Sequence, residues 1–236
     1  MQETVVIIVG TNGMGLASAQ LLAKEGCRVI ISGRSQATID RALAQIPGDA
    51  SGYPLEYTDY ASINGFFARA GQFDHLALVG SSQAAWGAFA ELKLEALKTA
   101  FDNKFYGYFL CAQAALGHLR KDGSITFVIG GACRAAFPGT AGLAAVNGAI
   151  KSMAFTLAKE LAPIRVNVIS PGLVDTPMYD WMKPEEKQAF FQQIGKRAPL
   201  GRVGRSEEIA QAVLFLVRNE FTTGALLDID GGNRMH

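Results

Sequence analysis

Residues 5–15 of this 236-residue chain read Val5-Val6-Ile7-Ile8-Val9-Gly10-Thr11-Asn12-Gly13-Met14-Gly15. The first five residues of this stretch are apolar and β-branched, which indicates a strand buried on both faces, as in a parallel sheet. The glycines that follow allow a tight turn, and a helical pattern runs from about Met14 to Glu25. A second strand over Arg28–Ser32 then completes a β-α-β unit at the first residues of the chain.

The same alternation of strands and helices continues to the end of the sequence. Five further strands are predicted near Pro54–Tyr57, Asp74–Val79, Ser124–Ile129, Ile164–Ile169 and Leu226–Ile229. Further helices are predicted at about 60–70, 92–101, 103–120, 142–161, 178–196 with a break at Pro184, and 206–218 with Ser206 as N-cap. No linker, repeat or low-complexity segment interrupts them. The sequence therefore predicts one α/β domain over residues 1–236, a doubly wound Rossmann fold whose seven-stranded parallel sheet carries helices on both faces.

Composition excludes several classes of partner. The 22 lysines and arginines nearly balance the 21 acidic residues, which argues against nucleic acid. No apolar run reaches the ~18 residues of a membrane span, and the first residues lack the basic segment of a secretory signal. The three cysteines have neither metal-site nor redox-pair spacing. We expect no nucleic-acid or membrane partner, and a cytoplasmic location.

A nucleotide site is predicted where the first two strands end, because doubly wound sheets bind ligands beyond the carboxyl ends of their strands. The turn formed by Gly10, Thr11, Asn12, Gly13, Met14 and Gly15 suits a pyrophosphate; the alternative is a tight turn with no ligand. After the second strand, an NAD site usually carries an acidic residue, but Arg34 and Ser35 stand here. A guanidinium and a hydroxyl suit a 2′-phosphate, which favours NADP(H), unless Arg34 is an ordinary surface arginine.

From the glycine-rich turn to Asp228-Ile229-Asp230-Gly231-Gly232, the chain resembles a short-chain dehydrogenase/reductase. The segment from Pro171-Gly172 through Thr176-Pro177 carries the most specific part of the likeness. The resemblance implies that Pro171, Gly172, Val174 and Thr176 belong to a loop facing the nicotinamide, that Glu56 lies near the adenine, and that Gly80 lies by the adenosine ribose. It also implies a variable substrate lid over residues 178–200 and a homodimer or homotetramer.

The family's Asn-Ser-Tyr-Lys catalytic set does not fall on those residue types here. The register of the helix that starts near Gly142 places Leu143 at the Tyr position and Asn147 at the Lys position. Gly130 falls at the Ser position and Lys104 at the Asn position, so that Lys and Asn have exchanged places. In the glycine-rich turn, either one residue is missing or Val9 takes the place of the family's first glycine.

Lys104 and Asn147 are the predicted catalytic residues. Lys104 shares a helical stripe with Tyr108 and Cys111, so it is predicted to point into the crevice, where burial would lower its pKa and let it donate a proton. The alternative is a lysine that reaches past the helix start to water. Asn147 is predicted either to bind the cofactor ribose or to be a surface amide. Other candidate proton donors are Ser81, Ser82, Cys133, Arg134 and Tyr179, whereas Tyr106 and His75 are predicted to be structural.

Three functional hypotheses follow. The leading one is an NADPH-dependent reductase with a non-standard active site, which transfers hydride to a small carbonyl, imine or enone. The second is a catalytically silent NADP(H)-binding protein that acts as a sensor or accessory subunit. The third, a lyase or dehalogenase, fits less well because such proteins usually lose the nucleotide loop and keep a Ser-Tyr pair.

Overall fold

The computed structural model describes residues 2–80 and 84–235, and its main feature is a seven-stranded parallel sheet. The strands in chain order are β1 Thr4–Ile8, β2 Arg28–Gly33, β3 Ala50–Pro54, β4 Phe73–Leu78, β5 Leu119–Val128, β6 Arg165–Pro171, β7 Val174–Asp175, β8 Gly204–Arg205 and β9 Leu226–Ile229. The sheet has the order β3-β2-β1-β4-β5-β6-β9, whereas the short strands β7 and β8 pair with each other outside it. The predicted Rossmann fold is confirmed.

Strand β1 lies inside the sheet, between β2 and β4, and its side chains pack into the core on both faces. Val6 and Ile8 belong to one buried cluster, and Val5 and Ile7 belong to the other. All four side chains are at most 1% exposed. Successive side chains of a strand point to opposite faces, so a strand covered on both faces needs an unbroken apolar run.

Helices cover both faces of the sheet. They are α1 Gly13–Lys24, α2 Gln36–Leu43, α3 Tyr60–Ala70, α4 Leu94–Ala100, α5 Gly107–Ala115, α6 Ala141–Glu160, α7 Pro184–Gly195 and α8 Ser206–Arg218. Buried residues of α1, α2 and α8 form one core cluster with the sheet, and buried residues of α3, α5 and α6 form the other. Because the crossovers carry these helices, the loops that leave the carboxyl ends of the strands gather at one edge of the sheet.

Helix α6 alone, among the described residues, is long and apolar enough to cross a membrane by length and composition. The core helix of a soluble protein passes the same test. Here one face of α6 packs on the sheet through Val146, Ile150 and Ala154, and Asn147 of the same helix is buried as well.

Several predicted boundaries are wrong. The third strand is Ala50–Pro54 rather than Pro54–Tyr57, so Pro54 ends it instead of starting it. Helix α2 was not predicted, because its mostly exposed residues give only a short apolar stripe, Ile39 and Ala42. The N-cap of α8 is Arg205 rather than Ser206, and the Arg205 amide donates a hydrogen bond to the Glu208 carboxylate (2.8 Å).

The single long helix predicted over Asn103–Arg120 is also wrong. The chain forms a π-helical turn over Phe101–Tyr106, continues as α5, and turns at Leu116. It then enters β5 at Leu119, which pairs with Phe73 of β4. A π turn holds one more residue than an α-helical turn, and such turns are frequent at functional sites.

Candidate active site

The glycine-rich turn lies between the end of β1 and the start of α1, and tight packing explains its glycines. A Cβ added at Gly15 would lie 2.0 Å from the Val9 carbonyl oxygen, so the helix can approach the turn only with glycine there. Val9 has a φ of +65°, a left-handed conformation that a β-branched residue rarely adopts. This backbone favours the alignment in which Val9 takes the place of the family's first glycine.

Neighbouring strands and loops hold this turn in place. The Val9 amide donates to the Ser32 hydroxyl (3.0 Å) and the Gly10 amide to the Ser32 carbonyl (3.0 Å). A Cβ added at Gly13 would lie 3.4 Å from Thr176 Cβ, so the turn and the loop after β6 are in contact. The N-terminus of α1 therefore opens beside the loop predicted to face the nicotinamide, and it can hold an anion with its free amides.

Arg34 and Ser35 follow β2 at the same edge of the sheet. Ser35 is the N-cap of α2, and its hydroxyl accepts from the Thr38 amide (3.4 Å). Arg34 is exposed, and no described carboxylate forms an ion pair with it. An uncompensated guanidinium beside a helix N-terminus is a suitable site for a phosphate.

The two other positions predicted near the adenosine have structural contacts of their own. Glu56 is exposed, and its carboxylate accepts from the Thr58 hydroxyl (2.7 Å). The Gly80 carbonyl accepts from the buried Tyr108 hydroxyl (2.8 Å), which also donates to Val128 O (2.9 Å). Nothing in these contacts blocks a ligand beside Gly80.

A cavity of about 490 Å³ lies at the carboxyl ends of the strands and brings Lys104 and Asn147 together. Most of its lining is apolar or aromatic. Of the predicted cofactor residues, the cavity lining includes Met14, Asn147, Pro171, Gly172, Val174 and Thr176. Its aromatic residues are Trp86, Phe137, Tyr179 and Phe190. The cavity thus joins the predicted nicotinamide loop to the predicted catalytic residues.

Lys104 lies in the π-helical turn and is only 5% exposed. Burial lowers its pKa from 10.5 to about 8, because desolvation disfavours the ammonium form. Its Nζ lies 5.9 Å from the centre of the Tyr108 ring. The structure thus supports the prediction of a crevice lysine over that of a lysine reaching solvent.

Asn147 lies within α6 and is also 5% exposed. Among the described residues, its Oδ1 has no hydrogen-bond partner, and neither does Thr176 Oγ1. A buried polar atom without a partner costs about 1–3 kcal/mol, so such atoms often await a ligand. Both atoms suit the polar groups of a nicotinamide riboside, and the glycine turn suits its pyrophosphate. The residues present therefore fit a dinucleotide.

Gly130 and Leu143 complete this part of the wall. Gly130 follows β5, and a Cβ added there would lie 3.1 Å from Asn147 Nδ2. Leu143 lies one turn before Asn147 on α6 and lines the cavity. Where the resemblance predicted the positions of a serine and a tyrosine, the cavity wall therefore offers no hydroxyl.

The other candidate proton donors differ in position. Tyr179 lines the cavity, and burial raises the pKa of its phenol. The Cys133 thiol donates to Gly130 O (3.5 Å), and burial raises its pKa. Arg134 turns away to Asp228 (3.1 Å). Ser81 and Ser82 lie outside the described residues.

Two residues predicted to be structural have the expected surroundings. His75 lies on β4, away from the cavity, and its Nδ1 is 2.8 Å from Ser124 Oγ. Tyr106 is 51% exposed, with its ring packed against Phe101 and Phe105.

Sequence reasoning missed several residues of the cavity wall. Arg197 comes from the segment after α7, and Asn233 comes from the last residues of the chain. Neither belongs to a motif. Only the folding of these late segments over the strand ends brings them to the site.

A glycine turn, a helix N-terminus and an apolar cavity at the carboxyl ends of a parallel sheet define a nucleotide-binding α/β protein. Residues 8–234 match the family model described as enoyl-(acyl carrier protein) reductase. A short-chain dehydrogenase/reductase of Acremonium sp is 31% identical over 98% of this chain and 95% of its own length. The 3-oxoacyl-(acyl-carrier-protein) reductase of Thermotoga maritima is 30% identical over 98% of both chains. The chain belongs to the short-chain dehydrogenase/reductase family.

One similar solved structure is a small-chain dehydrogenase in complex with NADPH. It is 34% identical to this chain, covers 100% of both chains and superposes with a TM-score of 0.87. Another, the crystal structure of a putative β-ketoacyl-ACP reductase, is 32% identical, covers 99% of this chain and 98% of its own, and has a TM-score of 0.86.

Proposed function

We propose that this protein is an NADP(H)-dependent oxidoreductase for a small carbonyl, imine or enone substrate, with Lys104 and Asn147 in place of the family's usual catalytic side chains. The observation that carries this proposal is the burial of Lys104 in the same cavity as Asn147, beside the nucleotide turn. Bound NADPH supplies a hydride to the substrate carbon. The protein must then hold the cofactor and deliver a proton to the substrate oxygen, nitrogen or α-carbon.

Three features support NADP(H) as the cofactor. Arg34 is exposed and free of ion pairs among the described residues, and no acidic residue stands directly after β2 to bind a ribose 2′-hydroxyl. The buried Asn147 Oδ1 and Thr176 Oγ1 have no partner in the described chain. The 34% identical relative of known structure holds NADPH. We propose that Gly10–Gly15 holds the pyrophosphate, Arg34 and Ser35 the 2′-phosphate, and Asn147 and Thr176 the nicotinamide riboside.

Lys104 is suited to proton donation by its surroundings. With a pKa of about 8, its ammonium is mostly charged at pH 7 but releases a proton more readily than an exposed lysine. Leu143 offers no proton from the position where the family has tyrosine. An imine, iminium or enone needs less acid assistance than a simple ketone, so we place such activated substrates first.

The test compares Lys104→Met with Lys98→Met, which removes an exposed lysine earlier in the chain, in α4. NADPH oxidation is followed with ketones, imines and enones, and NADPH binding is measured separately by fluorescence. We expect Lys104→Met to lower kcat by 10² or more at unchanged NADPH affinity, since removal of a general acid costs about 10²–10⁴. The wild-type rate of reduction should fall as the pH rises through about 8. A loss below about twofold would refute the assigned role.

One observation favours a catalytically silent protein instead. The cavity wall has leucine at position 143 and glycine at position 130, where the resemblance places two hydroxyls. In that case the protein binds NADP(H) as a sensor or accessory subunit. Reduction of any ketone, imine or enone tested above excludes this alternative. Tight NADPH binding together with no reduction of any of these compounds supports it.

We further propose a homodimer or homotetramer in the cytoplasm. Light scattering of the purified protein tests the first part, and microscopy of a tagged copy tests the second.

A further inference from the structure

The cavity has an uneven charge. Its described lining includes two cationic side chains, Lys104 and Arg197, and no Asp or Glu. The remaining lining is largely apolar, with aromatic rings on several sides. A site of this kind favours an apolar ligand that carries negative charge.

Arg197 differs from the other arginines near this end of the sheet. Arg134 and Arg234 both bind Asp228 (3.1 and 2.6 Å), and Arg202 binds Glu208 (2.5 Å). Within residues 2–80 and 84–235, Arg197 forms no ion pair. Its guanidinium, at the wall of an apolar cavity, is therefore available to a ligand.

The two cations also differ in depth. Lys104 is buried, so it lies at the closed end of the cavity, while Arg197 is exposed in the segment that follows α7, and so lies at the mouth. A reacting group beside Lys104 and an anionic group beside Arg197 would belong to the two ends of one small molecule. The volume of about 490 Å³ lies within the range of small-ligand sites.

We propose that the substrate of this site is an apolar ketone, imine or enone with a free carboxylate, and that Arg197 binds that carboxylate. The inference rests on the proposed function, since it extends the same site to its substrate class. The proposed function gives the cofactor's phosphates other partners, the glycine turn that follows β1 and Arg34 that follows β2, so Arg197 is left for the substrate. An arginine suits a carboxylate because its planar fork donates two parallel hydrogen bonds.

A binding experiment tests this without requiring turnover. Calorimetry measures the affinity of NADP⁺-saturated protein for 3-benzoylpropionate and for the neutral 3-benzoylpropionamide. We expect the wild type to prefer the carboxylate, and Arg197→Ala to bind it 10- to 100-fold more weakly, as expected for a lost charge-assisted hydrogen bond. Affinity for the amide and for NADP⁺ should stay within twofold. Lys196→Ala, which removes the adjacent exposed lysine outside the cavity wall, is the matched control.

Several results would overturn the inference. They are a wild type with no preference for the carboxylate, equal losses for both probes, or weaker NADP⁺ binding in Arg197→Ala. Binding of acetoacetyl-coenzyme A that depends on Arg197, with no such dependence for 3-benzoylpropionate, would assign the guanidinium to a phosphate instead.

Turnover separates the two proposals. Reduction of 3-benzoylpropionate adds a hydride from NADPH to the carbonyl carbon and a proton to its oxygen, giving the alcohol and NADP⁺. If the carboxylate binds through Arg197 but no ketone, imine or enone is reduced, the proposed function fails and the carboxylate site stands. If reduction occurs with equal kcat/KM for the acid and its methyl ester, the proposed function stands and the carboxylate site fails.

Discussion

The Asn147 amide packs directly against Gly130 in the cavity wall, because a Cβ added at Gly130 would lie 3.1 Å from Asn147 Nδ2. The two residues come from different parts of the chain: Gly130 follows β5, and Asn147 lies in the second turn of α6. Gly130 has an extended backbone, with φ −154° and ψ 151°, which any residue can adopt. The absence of a side chain at Gly130 is therefore explained by the neighbouring amide and not by the backbone.

We expect Gly130→Ala to lower the free energy of unfolding by about 1 kcal/mol, because the added methyl group crowds the Asn147 amide. In an Asn147→Ala background, the same change should cost little, since the crowded group is gone. Urea unfolding of the four proteins in this double-mutant cycle measures the coupling. Equal costs in both backgrounds would show that the two residues do not interact.

Replacing Lys104 should stabilise the protein at neutral pH. Its pKa is about 8 in the folded protein and about 10.5 when exposed, so the unfolded chain binds more protons between these values. The charged lysine therefore destabilises the fold below about pH 8, and this penalty is lost as the pH rises towards 10.5. We expect Lys104→Met to be roughly 1–3 kcal/mol more stable than the wild type at pH 7, with a smaller gap at pH 10.

Urea unfolding at a series of pH values measures this difference. The matched variant Lys98→Met, at an exposed position, should differ from the wild type by the same small amount at every pH. A Lys104→Met protein that is less stable than the wild type at pH 7 would contradict the assigned burial cost.

At Val9 we expect the glycine variant to be more stable than the alanine variant, which is the reverse of the usual order of stability. Both changes remove the valine methyl groups, but only glycine also relieves the left-handed φ of +65°. We expect Val9→Gly to be about 1 kcal/mol more stable than Val9→Ala. At Val29, a buried residue of β2 with no such strain, alanine should instead be the more stable variant by about 0.5–1 kcal/mol. If the alanine variant is the more stable one at position 9 as well as at position 29, backbone strain at Val9 is excluded.

Arg34 should select the phosphorylated cofactor. We expect Arg34→Ala to weaken NADPH binding about tenfold, since an exposed guanidinium contributes roughly 1 kcal/mol or more to a phosphate contact. NADH, which lacks the 2′-phosphate, should bind within twofold of its wild-type affinity. Fluorescence titration with both cofactors measures the ratio. Arg41→Ala, an exposed arginine in the last turn of α2, serves as the control, and an equal effect of Arg34→Ala on both cofactors would assign Arg34 another role.

The central strands and the glycine-rich turn could be predicted from sequence because their signals are local. The apolar residues Val5–Ile8 are buried on both faces of β1, whereas Val9, the last residue of the predicted strand, lies in the turn after it. Strand β9, Leu226–Ile229, falls at its predicted bounds. The helix prediction over 103–120 failed because the charged run Arg120–Asp122 resembles the polar end of a helix. In the structure, these residues form the exposed start of β5, whose register depends on Phe73 in a distant strand.

In the candidate site too, residues with a local sequence signal could be predicted, and residues placed by distant contacts could not. The positions of Lys104 and Asn147 followed from motif registers, and both residues line the cavity, although their chemical roles stay predictions. Arg197 and Asn233 could not be predicted. Their place depends on how the segments after β6 and β9 fold back across the strand ends, and no local pattern encodes that path.

The π-helical turn at Phe101–Tyr106 joins α4 and α5 and rotates the buried face of α5 relative to that of α4. Helix α4 before the turn packs towards α6, whereas α5 after it packs towards α3. One extra residue rotates α5 by about 100° relative to α4, so the two helices can pack against different neighbours. Loss of a single residue there would turn α5, including Tyr108, away from its contacts. The length of this segment is therefore under a stricter constraint than the identity of most of its side chains.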